Sequence, residues 1–238
     1  MELSFKNLIE LYKLASLGKV TGGLIHNING PLQNIGLDLE MTQYMLKKEA
    51  EAHGGKESSI IPRLRRIEEE LERLNAMIKT SSSRITHEDK NFLNFNEYLE
   101  QELFFLNTNL YYKHNVETTL DLSEEPPVIK SLPHDSVLAF GWLLQSVIEE
   151  IERVKGKTLH IRALENNGFY EITIVTELND LVGRVSKIIQ KTDFSSDRLT
   201  APENETDIML ILKVFHSDGV IIKTGKGQSA DINICFPL

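Results

Sequence analysis

Apolar residues at Leu11, Leu14, Ile25, Ile28, Leu32, Ile35, Leu39 and, past Thr42, Leu46 lie on one seam, with spacings of three and four from Ile25 onward. Such a run describes a heptad, and a heptad seam suits a helix that packs lengthwise against another. It predicts one helix over about 4–51. The stretch "AHGGKESS" then interrupts the pattern: Gly54 and Gly55 supply a turn and Ser58 or Ser59 an N-cap. Pro62 falls in the first turn of a second helix, where a missing N–H is tolerated. The second seam is Ile60, Leu64, Ile67, Leu71, Leu74 and Ile78, with "RLRRIEEELERL" setting opposite charges on the outer faces. Two long helices and a short turn make an antiparallel hairpin. One hairpin cannot enclose such a seam, so the expectation is a homodimer whose four-helix bundle is built from about 4–86.

Inside the first helix, "GGLIHNINGPLQNI" (22–35) carries residues that oppose the pattern. A glycine in a helix interior costs about 1 kcal/mol relative to alanine and a proline about 3. With Ile25 at heptad position a, His26 falls at b, beside the seam and facing solvent. Pro31 removes an intrahelical hydrogen bond and is expected to bend the helix, and Gly30 clears side-chain bulk from the turn next to the imidazole. Loosened backbone beside an exposed imidazole suits reversible group transfer.

A polar linker near 80–91 ends the hairpin, dividing the chain into 1–88 and 92–238. The second part mixes signals: a helix over Asn96–Tyr112, a strand in "NVETTLDL", and an apolar helix over Asp135–Arg153 that takes Trp142 into the core. Two alternating strands come next, "TLHIRALE" and "YEITIVTEL", with turn chemistry in "ENNGFY". A helix over Glu205–His216 and a closing hairpin, "GVIIKTGKGQSADINICFPL", complete an α+β domain with helices against one face of a mixed sheet. A net charge of −9 gives no footprint for a phosphate backbone, so no nucleic-acid partner is expected. The lone Cys235, within an apolar run, reads as buried rather than reactive. No apolar run is long enough for a membrane span and the first residues lack signal-peptide grammar, which places the protein in the cytoplasm. His53 and His87 fall in polar loops, His114 and His160 in strand regions, and no spacing suits zinc. "GKGQS" reads as a β-turn, since it lacks the full phosphate-loop pattern.

The segment "LGKVTGGLIHNINGPL" resembles the phosphoacceptor box of bacterial two-component histidine kinases at Leu17, Gly18, Lys19, Gly23, His26, Pro31 and Leu32. The stretches "FNEYLEQELFF…IEEI" and "DGVIIKTGKGQSADINICFPL" resemble the opening and closing parts of the same family's ATP-binding domain. The resemblance implies a dimerisation and phosphotransfer hairpin followed by a degenerate kinase-type ATPase α/β sandwich. Ser146 stands where the family has a nucleotide-site asparagine, with Glu149 and Glu150 nearby. "TELNDLVG" stands in place of the Asp-x-Gly-x-Gly turn, and the acidic "PENETDIML" in place of a glycine-rich helix start. Asn27 replaces the acidic residue that commonly comes after the histidine, and Gly30 the amide four residues after it, with Asn29 one residue early.

A kept acceptor and a lost nucleotide site imply the ChpT-like histidine phosphotransferases of phosphorelays. His26 is then the acceptor, Asn27 and Asn29 lend hydrogen bonds, no cofactor is held, and a response-regulator receiver domain brings the aspartyl phosphate with its magnesium. The alternative is a non-catalytic pseudokinase that serves as a dimeric scaffold. A third is a kinase with an unusual pocket.

Overall fold

A computed structural model describes residues 5–52, 60–83, 93–125, 128–129, 134–195, 205–226 and 230–238. The two seam-bearing stretches are helices α1 (Phe5–Ala52) and α2 (Ile60–Ser83). Their connection, with Gly54, Gly55, Ser58 and Ser59, lies outside the described residues, as does the linker from 84 to 92.

The seam splits in two. On α1, Ile28, Ile35 and Thr42 turn inward together with Pro31, whereas Ile25, Leu32, Leu39 and Leu46 stay exposed. On α2, Ile60, Ile67 and Leu74 turn inward and Leu64, Leu71 and Ile78 stay exposed. At 3.6 residues per turn, alternate seam positions diverge by roughly 50°, so a helix with one neighbour covers one row and leaves the other. Polar links fix the register of the pair. Arg63 Nη1 donates to Asp38 Oδ1 at 3.0 Å, Arg66 Nη2 lies 3.1 Å from the same oxygen, and Asn34 Nδ2 donates to Glu70 Oε1 at 3.1 Å.

The remaining elements are β1 (Leu93–Asn94), α3 (Phe95–Leu106), α4 (Leu110–Asn115), β2 (Glu117–Leu122), β3 (Val128–Ile129), α5 (His134–Val154), β4 (Thr158–Asn166), β5 (Phe169–Thr176), α6 (Asn179–Lys191), α7 (Thr206–Ser217), β6 (Ile221–Lys226) and β7 (Ala230–Pro237). Five strands form a sheet in the order β2-β4-β5-β7-β6. β2 runs parallel to β4 and the other pairs are antiparallel. β1 and β3 form a separate ladder of two residues each. The β4–β5 connection is Asn167–Gly168, both with positive φ (51° and 79°), the two-residue hairpin chemistry that "ENNGFY" announced. Gly219 (φ 73°) ends α7, and Val220 N donates back to Phe215 O at 2.8 Å.

One face of the sheet is apolar. Leu159, Ile161 and Ala163 of β4, Tyr170, Ile172 and Ile174 of β5, and Ile232, Ile234 and Phe236 of β7 join the apolar sides of α3, α5, α6 and α7 in one core. Trp142 lies in it, as expected. Period-two alternation sends Arg162, Glu171, Thr173 and Asn233 to the opposite face. Cys235 shares that opposite row, so it is buried outside the apolar core, with Sγ 3.8 Å from Glu171 Oε1. Burial, followed by the neighbouring Glu171 carboxylate, pushes its thiol up, away from the thiolate chemistry of reactive cysteines.

Two sequence expectations change. The single helix over Asn96–Tyr112 is two helices, because Asn109 caps α4 by accepting Tyr112 N at 2.9 Å. His114 accordingly sits in the last turn of a helix, not in a strand region. The compact units are Val20–Thr86, and His87–Leu238 joined by Met1–Lys19. The first turns of α1 thus group with His87–Leu238, in whose core Ile9 is buried.

Candidate functional site

α1 is helical on both sides of Gly30 and Pro31 and through them. Pro31 has no N–H, so the carbonyl of Asn27, four residues back, loses its usual donor. The gap in the ladder therefore falls on the residue next to His26. A Cβ built on Gly30 meets nothing within 4 Å, and the same holds at Gly18 and Gly36. Packing does not explain the glycine. Gly30→Ala is accordingly expected to stabilise the fold by about 1 kcal/mol, read as a rise in thermal midpoint; a fall would show a constraint at that turn beyond helix propensity. Pro31 is a poorer probe, because its ring is buried and truncation forfeits packing as well as relieving the backbone.

His26, Asn27 and Asn29 lie on α1. The side chains of His26 and Asn27 fall outside the described residues, and Asn29 is exposed.

In the second unit, the positions read as a departed nucleotide site are built into other structure. Ser146 is half-buried on α5, and Gln145 Nε2 donates to Glu149 Oε1 at 3.1 Å. Glu150 is buried and accepts Arg153 Nε at 2.9 Å and Arg153 Nη2 at 2.5 Å, while Arg184 Nη2 of α6 lies 3.2 Å away. Its carboxylate is thus committed to holding α6 against α5. "TELNDLVG" folds as the end of β5 and the first turns of α6, with Leu178 N donating to Thr176 Oγ1 at 3.2 Å. Of "PENETDIML", Glu205 onward enters α7, and the three residues before it lie outside the described residues, as do residues 227–229 of "GKGQS". Among the described residues no group of three or more His, Cys, Asp and Glu could hold a metal ion, and no helix is long and apolar enough to cross a membrane.

The hydrogen bond from Arg153, aided by Arg184, holds the Glu150 carboxyl below its ordinary value against the opposing effect of burial. A lowered folded value contributes stability that is present above the ordinary carboxylate range and is lost as pH falls through the lowered one. Glu150→Gln is therefore expected to be less stable than the wild type at neutral pH, with the gap closing below about pH 4. Thermal midpoints across an acid series check this; a gap independent of pH would remove the ionic account.

No protein-family model matches the chain, and no curated protein matches it. Among solved structures it is similar to the histidine kinase AdeS of Acinetobacter baumannii, at 12% identity over 84% of this chain and 94% of that one, with a TM-score of 0.42. It is also similar to a bacterial phosphotransferase, at 12% identity, 92% and 96% coverage and a TM-score of 0.44. A third is histidine kinase ThkA, solved in complex with the response regulator TrrA, at 16% identity, 98% and 66% coverage and a TM-score of 0.43.

Proposed function

We propose that the protein is a histidine phosphotransferase of a phosphorelay, passing phosphoryl groups between receiver-domain aspartates and His26 without using ATP. The observation that carries this reading is Gly30: no neighbour requires it, yet it stands with Pro31 in the turn after His26, where both lower helix stability. A partner that must bring an acyl phosphate against the imidazole needs a turn without side-chain bulk. In the transfer, the lone pair of a ring nitrogen attacks phosphorus in line, forming a P–N bond as the P–O bond to the aspartyl carboxylate breaks. The carboxylate leaves with that electron pair, and the proton of the other ring nitrogen passes to water. The reaction runs on positioning and charge neutralisation, and the magnesium belongs to the receiver. Asn27 and Asn29 lend hydrogen bonds beside the acceptor.

Independence from ATP is supported by the commitment of Glu150 to Arg153 and Arg184 and by α6 where a glycine turn would lie. A homodimer is supported by the exposed row Ile25, Leu32, Leu39 and Leu46 on α1 with Leu64, Leu71 and Ile78 on α2, since contiguous apolar surface of that kind seeks a partner. The test is incubation with a panel of phosphorylated receiver domains. Acid-labile label on the wild type supports the reading. Wild type that takes no label from any receiver makes the dimeric scaffold the better account, and micromolar binding of magnesium ATP by calorimetry would restore the kinase.

A further inference from the structure

Phe5, Tyr12, Lys19 and His26 share heptad position b when Ile25 is a, the position that faces away from the seam. Aromatic residues there have no use inside a bundle. In the structure Phe5 and Tyr12 pack against α7 and α5 of the unit to which Met1–Lys19 belongs. Lys213 Nζ of α7 lies over the Phe5 ring at 4.7 Å. Tyr12 meets Trp142 of α5 edge-on, with ring centroids 4.7 Å apart and planes at 76°. Lys13 Nζ lies 3.2 Å from Asp135 Oδ1 of α5. The Tyr12 hydroxyl hydrogen-bonds to Ser146 on α5 and to Asp207 in the first turn of α7. Burial, with the charges of Asp207 and Glu149, pushes the phenol above its ordinary value, so it stays protonated, donates to the Asp207 carboxylate and accepts from Ser146. The attachment is narrow. Phe5, Leu8 and Tyr12 are only half-buried, Ile9 is the one fully buried apolar side chain among residues 5–13, and Leu11 and Leu14 on the far side are exposed.

We infer that the first turns of α1 are a built-in plug: Tyr12 fills a slot between α5 and α7, walled by Trp142, Ser146 and Asp207, and residues 5–13 leave and re-enter it as a unit. Segments with few buried apolar contacts open well below the global unfolding free energy, and this segment has few. The slot is fitted to a phenol. Its aromatic wall takes the ring, the serine and the carboxylate complete the hydroxyl's hydrogen bonds, and Asp207 and Glu149 disfavour a phosphate. The plug deepens the ATP-independent reading and rests on it for its meaning: Ser146 and the start of α7 are the positions at which that reading finds the nucleotide motifs replaced, and the chain closes the space between them with its own side chain.

Trp142 is the only tryptophan, so its accessibility to acrylamide reports the slot in the full-length protein. Tyr12→Ala is expected to raise the quenching constant severalfold, and Tyr12→Phe, which keeps the ring, to leave it close to wild type. Added p-cresol should restore shielding saturably in Tyr12→Ala and change nothing in the wild type, since an emptied aromatic site accepts a small guest of the lost shape. In the wild type, amide hydrogens of residues 9–13 should exchange together, about a hundredfold faster or more than those of α5. Trp142 equally shielded in Tyr12→Ala, no effect of p-cresol, or exchange of 9–13 only with global unfolding would each overturn the plug. None of these readouts involves phosphate. A protein that fails every transfer assay therefore leaves the plug intact, and a protein that fails these leaves the transfer reading intact.

Discussion

His26→Gln is expected to abolish phosphoryl acceptance from every receiver while leaving the thermal midpoint and oligomeric state within error of wild type. Glutamine has no ring nitrogen to attack phosphorus, so the loss should reach the detection limit rather than a partial slowing. Heptad position b carries little of a bundle's packing, which is why the fold should not notice. The two measurements must be made on the same preparation. Retained labelling would place the acceptor elsewhere, and a fallen midpoint would show His26 to be structural.

A charge on the exposed row should separate assembly from folding. Leu39 and Leu71 are 44% and 47% exposed in the single chain, whereas Ile67 and Leu74 are 8% and 6% exposed between α1 and α2. Leu39→Asp or Leu71→Asp should therefore convert a dimer to a monomer whose helical circular dichroism is unchanged. Ile67→Asp or Leu74→Asp should lower helix content itself. Burying one such side chain is worth about 1.5–3 kcal/mol, and a dimer repeats each contact by symmetry, so one substitution per chain is felt twice. Sedimentation of wild type as a monomer at micromolar concentration would refute the homodimer, and a Leu39→Asp variant that stays dimeric would show that the exposed row is not its seam.

Long periodic segments were readable because one physical cause dominates them. The seams of α1 and α2 and the alternation of β4 and β5 arise from the need to bury one face, and the Asn-Gly turn between those strands from backbone that takes positive φ. What escaped has equally specific causes. A heptad seam shows that a helix packs lengthwise but not which of its two rows goes to which neighbour, so the division between Leu39 and Thr42 was invisible. Asn109 could be read as a tolerable helix residue until its side chain was seen to cap the next turn. β1 and β3, two residues each, are too short to show any period. The aromatic pair at Phe5 and Tyr12 was in plain view at position b, yet counting only positions a and d passes over it. Beside the proposed acceptor His26, Gly30 and Pro31 stood out as violations of helix propensity, which is where a functional demand shows itself in sequence. Glu150 illustrates the opposite limit: its charge was legible, but its commitment to Arg184 depends on α6 folding back against α5.

The position of β2 has a consequence for the solubility of the whole chain. It is the outermost strand at one margin of the sheet, so the side of its backbone turned away from β4 has no ladder partner among the described residues. An open margin of this kind is a template on which another chain can add a strand, and repeated addition is the route to fibrils. Glu117 and Asp121 alternate along it with threonine and leucine, and Asp121 is tied to Arg162 at 2.9 Å. Such charges make a second identical strand a poor fit, because antiparallel addition about Thr119 would set Glu117 of one molecule against Asp121 of the next. The strand is thus kept short and acidic by what must not bind to it. Replacing those two acids with valine would raise its strand propensity and, for the same reason, turn the margin into a nucleus for aggregation.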